Sequence, residues 1–179
     1  MDERIHIARL KAGDLTGLEK LVTEYQVRAV HAAWLIVYDR ALAEEIAQSA
    51  FIKAAERIGQ YDESRPFAPW FFRIVINDAL KAARKQKRQL SLDDNLADLA
   101  TWLVDPGQTP EQLVAEQELS EKIVQAVQQL PPEQRAVIVM RYYLELSAAD
   151  MSVRLDRPVS TIKWWLRTAR QRLVSLLET

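Results

Sequence analysis

From Leu18 to Ile58 the chain runs 41 residues without a glycine or a proline. A turn-rich β architecture needs such breakers at short intervals, so a stretch of this length is read as helix. The four glycines of the whole chain, Gly13, Gly17, Gly59 and Gly107, all lie in its first 107 positions. The fold class is therefore all-α. One straight helix of 41 residues would be unusual in a compact domain, and Asp39-Arg40 is the expected break.

Apolar residues at Ile7, Leu10, Leu15, Leu18, Leu21, Val22 and Tyr25 recur every three to four positions, interrupted at Gly13-Asp14. That pattern predicts a short helix followed by a long one. A loop is expected over Gly59–Pro69, where Tyr61-Asp62-Glu63-Ser64-Arg65-Pro66 supplies turn residues, and a helix from Pro69 to about Arg88. Residues 90–110 mix Leu and Trp with Asp and read as an acidic tether. Within it Leu92, Leu96, Leu99, Trp102 and Leu103 are spaced for a short amphipathic helix able to hold the flanking domains closed. Thr109-Pro110 then resembles a helix start, and Pro131-Pro132 its end. Three further helices are expected near 133–144, 147–154 and 160–177. The domains are thus 1–89 and 111–179, two small helical units joined by the linker 90–110.

With 49% apolar and 27% charged residues and no cysteine, the composition is that of a soluble domain without disulfides, thiolate metal sites or a cysteine nucleophile. The charged amino terminus is not a signal peptide, and the longest apolar stretch, Ala29–Tyr38, is about half the ~20 residues a membrane span needs. No membrane insertion and a cytoplasmic location are expected. A net charge of −1 conceals blocks. Residues 73–88 hold six Lys/Arg and one Asp, 91–121 eight Asp/Glu and no Lys/Arg, and 154–172 six Lys/Arg and one Asp. Two basic blocks flanking an acidic one point to two contacts with a single polyanion.

The second basic block coincides with helix-turn-helix spacing. Ser147 is the expected N-cap of a short helix, Leu155-Asp156-Arg157-Pro158 the turn, and Ser160 the N-cap of a longer helix, with Met151, Leu155, Ile162, Leu166 and Ala169 as core. The second helix of such a pair fits the major groove, leaving Lys163, Trp164 and Arg167 facing DNA. In the amino-terminal domain, Phe67–Asn77 sets aromatic residues beside a basic helix end, a combination suited to single-stranded DNA. Trp70, Phe71 and Ile74 are read as core, and Tyr61, Arg65 and Asn77 as exposed. Ala43–Phe51 is an amphipathic helix with a Glu/Gln/Ser face.

Taken in order, AEEIAQSAFIKA (43–54), PFAPWFFRIVIND (66–78), LPPEQRAVIVMRY (130–142) and LSAADMSVRLDRPVSTIKWWLRTARQRL (146–173) resemble the extracytoplasmic-function sigma factors, small two-domain specificity subunits of bacterial RNA polymerase. The resemblance implies a non-enzymatic transcription initiation factor without cofactors. Its partners would be core RNA polymerase, promoter DNA and an anti-sigma protein. On this resemblance Glu45, Gln48 and Ile52 dock on the polymerase clamp helices. The loop from Tyr61 to Phe67, including Arg65, captures a base flipped from the minus-ten element. Arg73, Asn77, Lys81 and Arg84 approach the upstream edge of that element. Lys163, Trp164 and Arg167 read the minus-thirty-five element, with Arg170 and Arg172 nearer the backbone. The chain departs from the family at Ser49, where an acidic residue is usual, and at Ala55, where Trp is. Asp156 stands for a turn glycine, and the Trp164-Trp165 pair for a small polar residue and Arg. A stand-alone helix-turn-helix regulator is the rival reading, and it leaves 43–54 and 61–77 without a role. The isolated histidines, His6 and His31, are not read as ligands.

Each basic block has a net charge of only +5 and the acidic segment opposes both. The free chain is therefore expected to bind duplex promoter DNA weakly and with strong salt dependence, gaining specificity only with core polymerase. Fluorescence anisotropy across a salt series, with and without core polymerase, measures this, and tight specific binding by the free chain would favour the rival.

Overall fold

The computed structural model describes residues 3–86 and 121–178. The acidic segment, the Thr109 helix start, Trp102 and Leu103 all lie outside the described residues. Among the described residues there is no strand. The amino-terminal unit comprises α1 (Glu3–Lys11), α2 (Thr16–Val37), α3 (Arg40–Glu56), a 3₁₀ turn (Ile58–Gln60) and α4 (Phe67–Gln86). In the carboxyl-terminal unit, α5 covers 121–128. There follow α6 (Pro132–Ile138), which runs into a π-helical stretch (Val139–Tyr143), then α7 (Ala148–Leu155) and α8 (Val159–Leu177).

The long breaker-free run divides where the polar pair predicted it. Tyr38 ends α2 in the left-handed region at φ 56°. Asp39 then caps α3, its side chain accepting from the Leu42 amide at 2.9 Å. Alanines make α2, α3 and α4 fit closely: Ala29, Ala32, Ala33, Ala43, Ala50 and Ala79 are all fully buried. The aromatic residues fill the remaining space, with Phe71 stacked on Phe51 at 4.5 Å and Tyr25 against Phe67, Phe71 and Phe72.

α1 crosses the start of α2 at Gly17. A Cβ at this position would lie 2.2 Å from the His6 carbonyl oxygen and 2.9 Å from the Leu10 amide nitrogen. Only glycine permits that approach, and it lets Ile7 and Leu10 join Leu21 in the core.

In the carboxyl-terminal unit Ser147 caps α7 in a reciprocal box with Asp150, its hydroxyl 2.6 Å from the carboxylate, which holds the Asp150 carboxyl below its ordinary value. Asp156 occupies the left-handed position at φ 51°, as a short polar side chain allows. Met151, Ile162, Leu166 and Ala169 are buried and Leu155 packs at their edge. Two boundaries differ from expectation. α8 starts at Val159 behind Pro158, whose φ of −55° already suits a helix start, so Ser160 lies within the first turn and is not the N-cap. α4 begins at Phe67 and not at Pro69, because a proline in the first turn forfeits no intrahelical hydrogen bond.

The units pack against each other through α2 and α4 on one side and α6 and α7 on the other. Their buried apolar residues form one continuous cluster.

Gly17→Ala is expected to lower the unfolding free energy by about 1–3 kcal/mol, the range for an overpacked contact. Gly59→Ala, where a Cβ would meet nothing within 4 Å, serves as the control, and urea titration of both variants checks the contrast.

Candidate polymerase and nucleic-acid interface

On α3 the predicted docking residues Glu45, Gln48 and Ile52 face solvent. Gln48 and Ile52, but not Glu45, line a cleft of about 950 Å³ between α2 and α3, together with Leu18, Val22, Val27, Val30 and Glu44 among others. Ile52 is 59% and Val27 64% exposed. A concentration of apolar surface within a Glu/Gln rim is the composition of a protein-docking site. The sequence reading located the α3 half only, since Leu18 and Val22 carry the same helical spacing as core residues.

The capture loop differs from expectation at two positions. Tyr61 was expected to be exposed, and Phe67 was placed on the DNA-binding surface; they are 6% and 1% exposed. The cause is mutual packing: the Tyr61 ring meets Phe67 edge-on at 5.5 Å and Trp70 at 5.4 Å, and its hydroxyl donates to the Arg65 carbonyl. These two residues are the floor of the loop, and Asp62, Glu63, Ser64 and Arg65 form its exposed rim. The rim is internally braced. Asp62 Oδ1 accepts from the Ser64 amide at 3.0 Å and its hydroxyl at 2.7 Å, and the Arg65 amide donates to the Asp62 carbonyl at 3.1 Å. Sequence reasoning missed Lys11, fifty positions away on α1. Its Nζ donates to the Tyr61 carbonyl at 3.1 Å and to Glu63 Oε1 at 2.7 Å.

Arg73, Asn77, Lys81 and Arg84 form a single stripe on α4, at the three- and four-residue spacing of one helix face. Arg73, Lys81 and Arg84 are exposed and Asn77 is half-buried. Part of the stripe faces the carboxyl-terminal unit. Asn77, Lys81 and Arg84 line a small cleft of about 170 Å³ with Leu155, Arg157 and Trp165, and Arg84 Nε lies 2.9 Å from Glu133 Oε1. Nearby, Arg154 Nε donates to the Pro69 carbonyl at 3.1 Å. On the α2 side the Arg135 guanidinium sits 5.2 Å from the Tyr38 ring centre, and the Tyr38 hydroxyl donates to the Val124 carbonyl at 3.3 Å. Burial lowers the Arg135 pKa. His31 Nδ1 lies 3.2 Å from the Tyr143 hydroxyl. None of these contacts has a local sequence signature.

On α8, Lys163, Trp164 and Arg167 are exposed on one face, Trp164 to 58%. Trp165 turns inward to pack on the core, so the adjacent tryptophans divide as helical geometry requires. Arg170 Nε donates to the Tyr142 hydroxyl at 2.9 Å, and Arg172 Nη1 to Gln134 Oε1 at 3.2 Å.

Two family models match the chain: Sigma-70 region 2 over residues 21–89 and Sigma-70, region 4 over residues 120–173. The ECF RNA polymerase sigma factor SigW of Bacillus subtilis is 33% identical over 172 residues, covering 93% of this chain and 92% of SigW. RNA polymerase sigma-H factor of Pseudomonas aeruginosa is 27% identical, covering 96% and 92%. Among solved structures, CnrH in complex with the cytosolic domain of CnrY has a similar fold, with a TM-score of 0.66, 20% identity and coverage of 98% and 97%. The sigma factor RpoE bound to the anti-sigma factor NepR from Bartonella quintana gives a TM-score of 0.65, 17% identity and coverage of 90% and 96%.

Burial between the units disfavours the His31 imidazolium and lowers its pKa below the ordinary 6.5. The unfolded chain then takes up the proton first as pH falls. The stability linked to neutral His31 is full above pH 6.5 and is lost as pH falls from there through the folded-state value. Unfolding free energy is expected to drop as pH falls below the ordinary 6.5, with a shallower slope in His31→Gln, as measured by denaturant titration at each pH.

Proposed function

The chain belongs to the extracytoplasmic-function sigma factors, and on that premise we propose a division of labour between its two helical units. It is a transcription initiation factor, binding core RNA polymerase, directing it to specific promoters and assisting their melting. Residues 1–89 serve polymerase docking and the minus-ten element, and residues 111–179 serve the minus-thirty-five element. The observation that carries this reading is that each unit presents one helix with a basic or polar stripe, α4 with Arg73, Asn77, Lys81 and Arg84, and α8 with Lys163, Trp164 and Arg167.

Each role follows from the chemistry. The first turns of α8 fit the major groove, where Lys163 and Arg167 donate to phosphates or guanine and Trp164 offers an apolar surface to a thymine methyl. Arg170 and Arg172, engaged with Tyr142 and Gln134, stiffen the end of α8 beside the DNA backbone. On α4 the cations hold phosphates and the Asn77 amide reads a base edge. The loop rim from Asp62 to Arg65, above the Tyr61 and Phe67 floor, receives an unstacked base. The cleft of Val27, Gln48 and Ile52, with the exposed Glu45 on the same helix, docks core polymerase. Bond formation stays with the core enzyme in the cytoplasm, and this subunit adds no catalytic group. Arg84 is half exposed and paired with Glu133, so a phosphate that engages it displaces that carboxylate. An anti-sigma protein completes the partner set, a reading supported by the complex of the similarly folded sigma factor RpoE with the anti-sigma factor NepR.

Run-off transcription with purified core polymerase on a randomised promoter library tests the assignment, and failure to enrich any promoter would refute it. Ile52→Asp is expected to weaken core binding at least tenfold, as loss of an interface anchor does, while leaving the fold intact by circular dichroism. Asn77→Ala and Arg65→Ala are expected to keep core binding and to reduce permanganate reactivity of the melted region. Unchanged melting by both would remove α4 and the loop from the mechanism.

A further inference from the structure

α1 lies outside the segment matched by the region 2 model, which begins at residue 21. It nevertheless forms one wall beside the capture loop. Glu3, Arg4 and Ile7 of α1 and Tyr61, Glu63, Ser64, Arg65 and Pro66 of the loop enclose a mixed polar cleft of about 240 Å³. The loop's own hydrogen bonds fix its shape but not its distance from α1. That distance is set by Lys11, whose Nζ meets the Tyr61 carbonyl, the Glu63 carboxylate and, at 5.7 Å, the face of the Tyr61 ring. Glu63, the loop side of that pair, is more exposed than Lys11, with side-chain exposures of 54% and 28%. A half-buried cation bound to both a backbone oxygen and a carboxylate restrains position more than a surface ion pair does.

The anchor of α1 is itself rigid. Gly17 lets α1 seat directly on α2, Ile7 and Leu10 are buried, and the Tyr25 hydroxyl donates to Glu3. Lys11 sits in the last turn of α1, where the helix dipole favours a cation. Its side chain thus connects the close α1–α2 crossing to the exposed loop.

We propose that Lys11 is a positioning residue for promoter melting: it ties α1 to the capture loop and holds the cleft between them open before the non-template strand arrives. The inference rests on the assignment of residues 61–67 to base capture. Preorganisation of this kind acts on the step in which a base leaves the stack, because a loop that must be ordered after unstacking adds its own ordering to the barrier. Lys11 itself need not touch DNA.

The test uses holoenzyme assembled from the full-length chain and core polymerase, on a promoter recovered from the randomised library. A non-template minus-ten oligonucleotide carrying 2-aminopurine at the captured position reports base extrusion. Lys11→Met keeps the stem and removes all three contacts, whereas Lys11→Arg keeps the cation and its donors. Lys11→Met is expected to slow open-complex formation and base extrusion about tenfold, the loss of one charge-assisted hydrogen bond. Core affinity and binding to minus-thirty-five duplex should stay within about twofold of wild type. Lys11→Arg is expected to recover most of the rate. Wild-type melting and extrusion rates in Lys11→Met would overturn the proposal, as would an equal loss of core affinity, which marks a general structural defect. If Lys11→Met folds poorly by circular dichroism, Glu63→Gln removes the carboxylate partner from the exposed side, and an unchanged extrusion rate there overturns the proposal equally. Failure of Arg65→Ala and Asn77→Ala to affect melting would instead remove the base-capture assignment on which it rests.

Discussion

Burial of Phe67 beneath the ring of Tyr61 is the contact on which the amino-terminal unit's geometry turns. Phe67 is the first residue of α4 and Tyr61 the first after the 3₁₀ turn, so one aromatic pair fixes both ends of the six-residue connection. Trp70, Phe71 and Tyr25 extend that contact into the core. The start of α4 sets its rotation, and its rotation sets the direction in which Arg73, Asn77, Lys81 and Arg84 project. Because aromatic rings have few rotamers and large buried areas, such a cluster resists small rotations better than an aliphatic one. The exposed rim of the loop can then be polar and functional without having to stabilise itself.

Where local chemistry decides structure, the sequence was legible. A helix break at a polar pair in a breaker-free run, a serine-aspartate cap, a left-handed aspartate and a buried Met151, Ile162, Leu166, Ala169 face all follow from rules acting within a few residues. Ser160 and Pro69 failed as boundaries by only one turn or less, because proline is compatible with both sides of a helix start. Tyr61 and Phe67 failed for a different reason. Aromatic residues beside a basic helix suit base stacking and core packing equally, and only the third dimension shows that these two cover each other. The α2 half of the apolar cleft was hidden likewise, since Leu18 and Val22 sit on a helix that also supplies the core.

What no one-dimensional pattern contains is the junction of the two units. Arg135 on Tyr38, Arg154 on the Pro69 carbonyl and His31 beside Tyr143 join residues separated by 85 to 112 positions where a hydrogen bond is made. Each is a polar or cationic contact at the margin of a continuous apolar cluster. Interfaces between domains of one chain commonly have this character: apolar burial supplies association and directional bonds fix the register. The half-buried Arg135 guanidinium loses part of its hydration over the Tyr38 ring, so that contact fixes register more than it adds association.

The pairing of Arg84 with Glu133 adds an ionic contact to the junction. On the proposed function, a promoter phosphate that engages Arg84 competes with the Glu133 carboxylate for the same guanidinium. Promoter binding and the packing of the two units are then linked through that one side chain. Linkage makes the effect mutual: the factor by which the Glu133 contact weakens promoter binding at Arg84 equals the factor by which bound promoter weakens the Glu133 contact. With Arg84 half exposed, that factor is the small one of a surface ion pair.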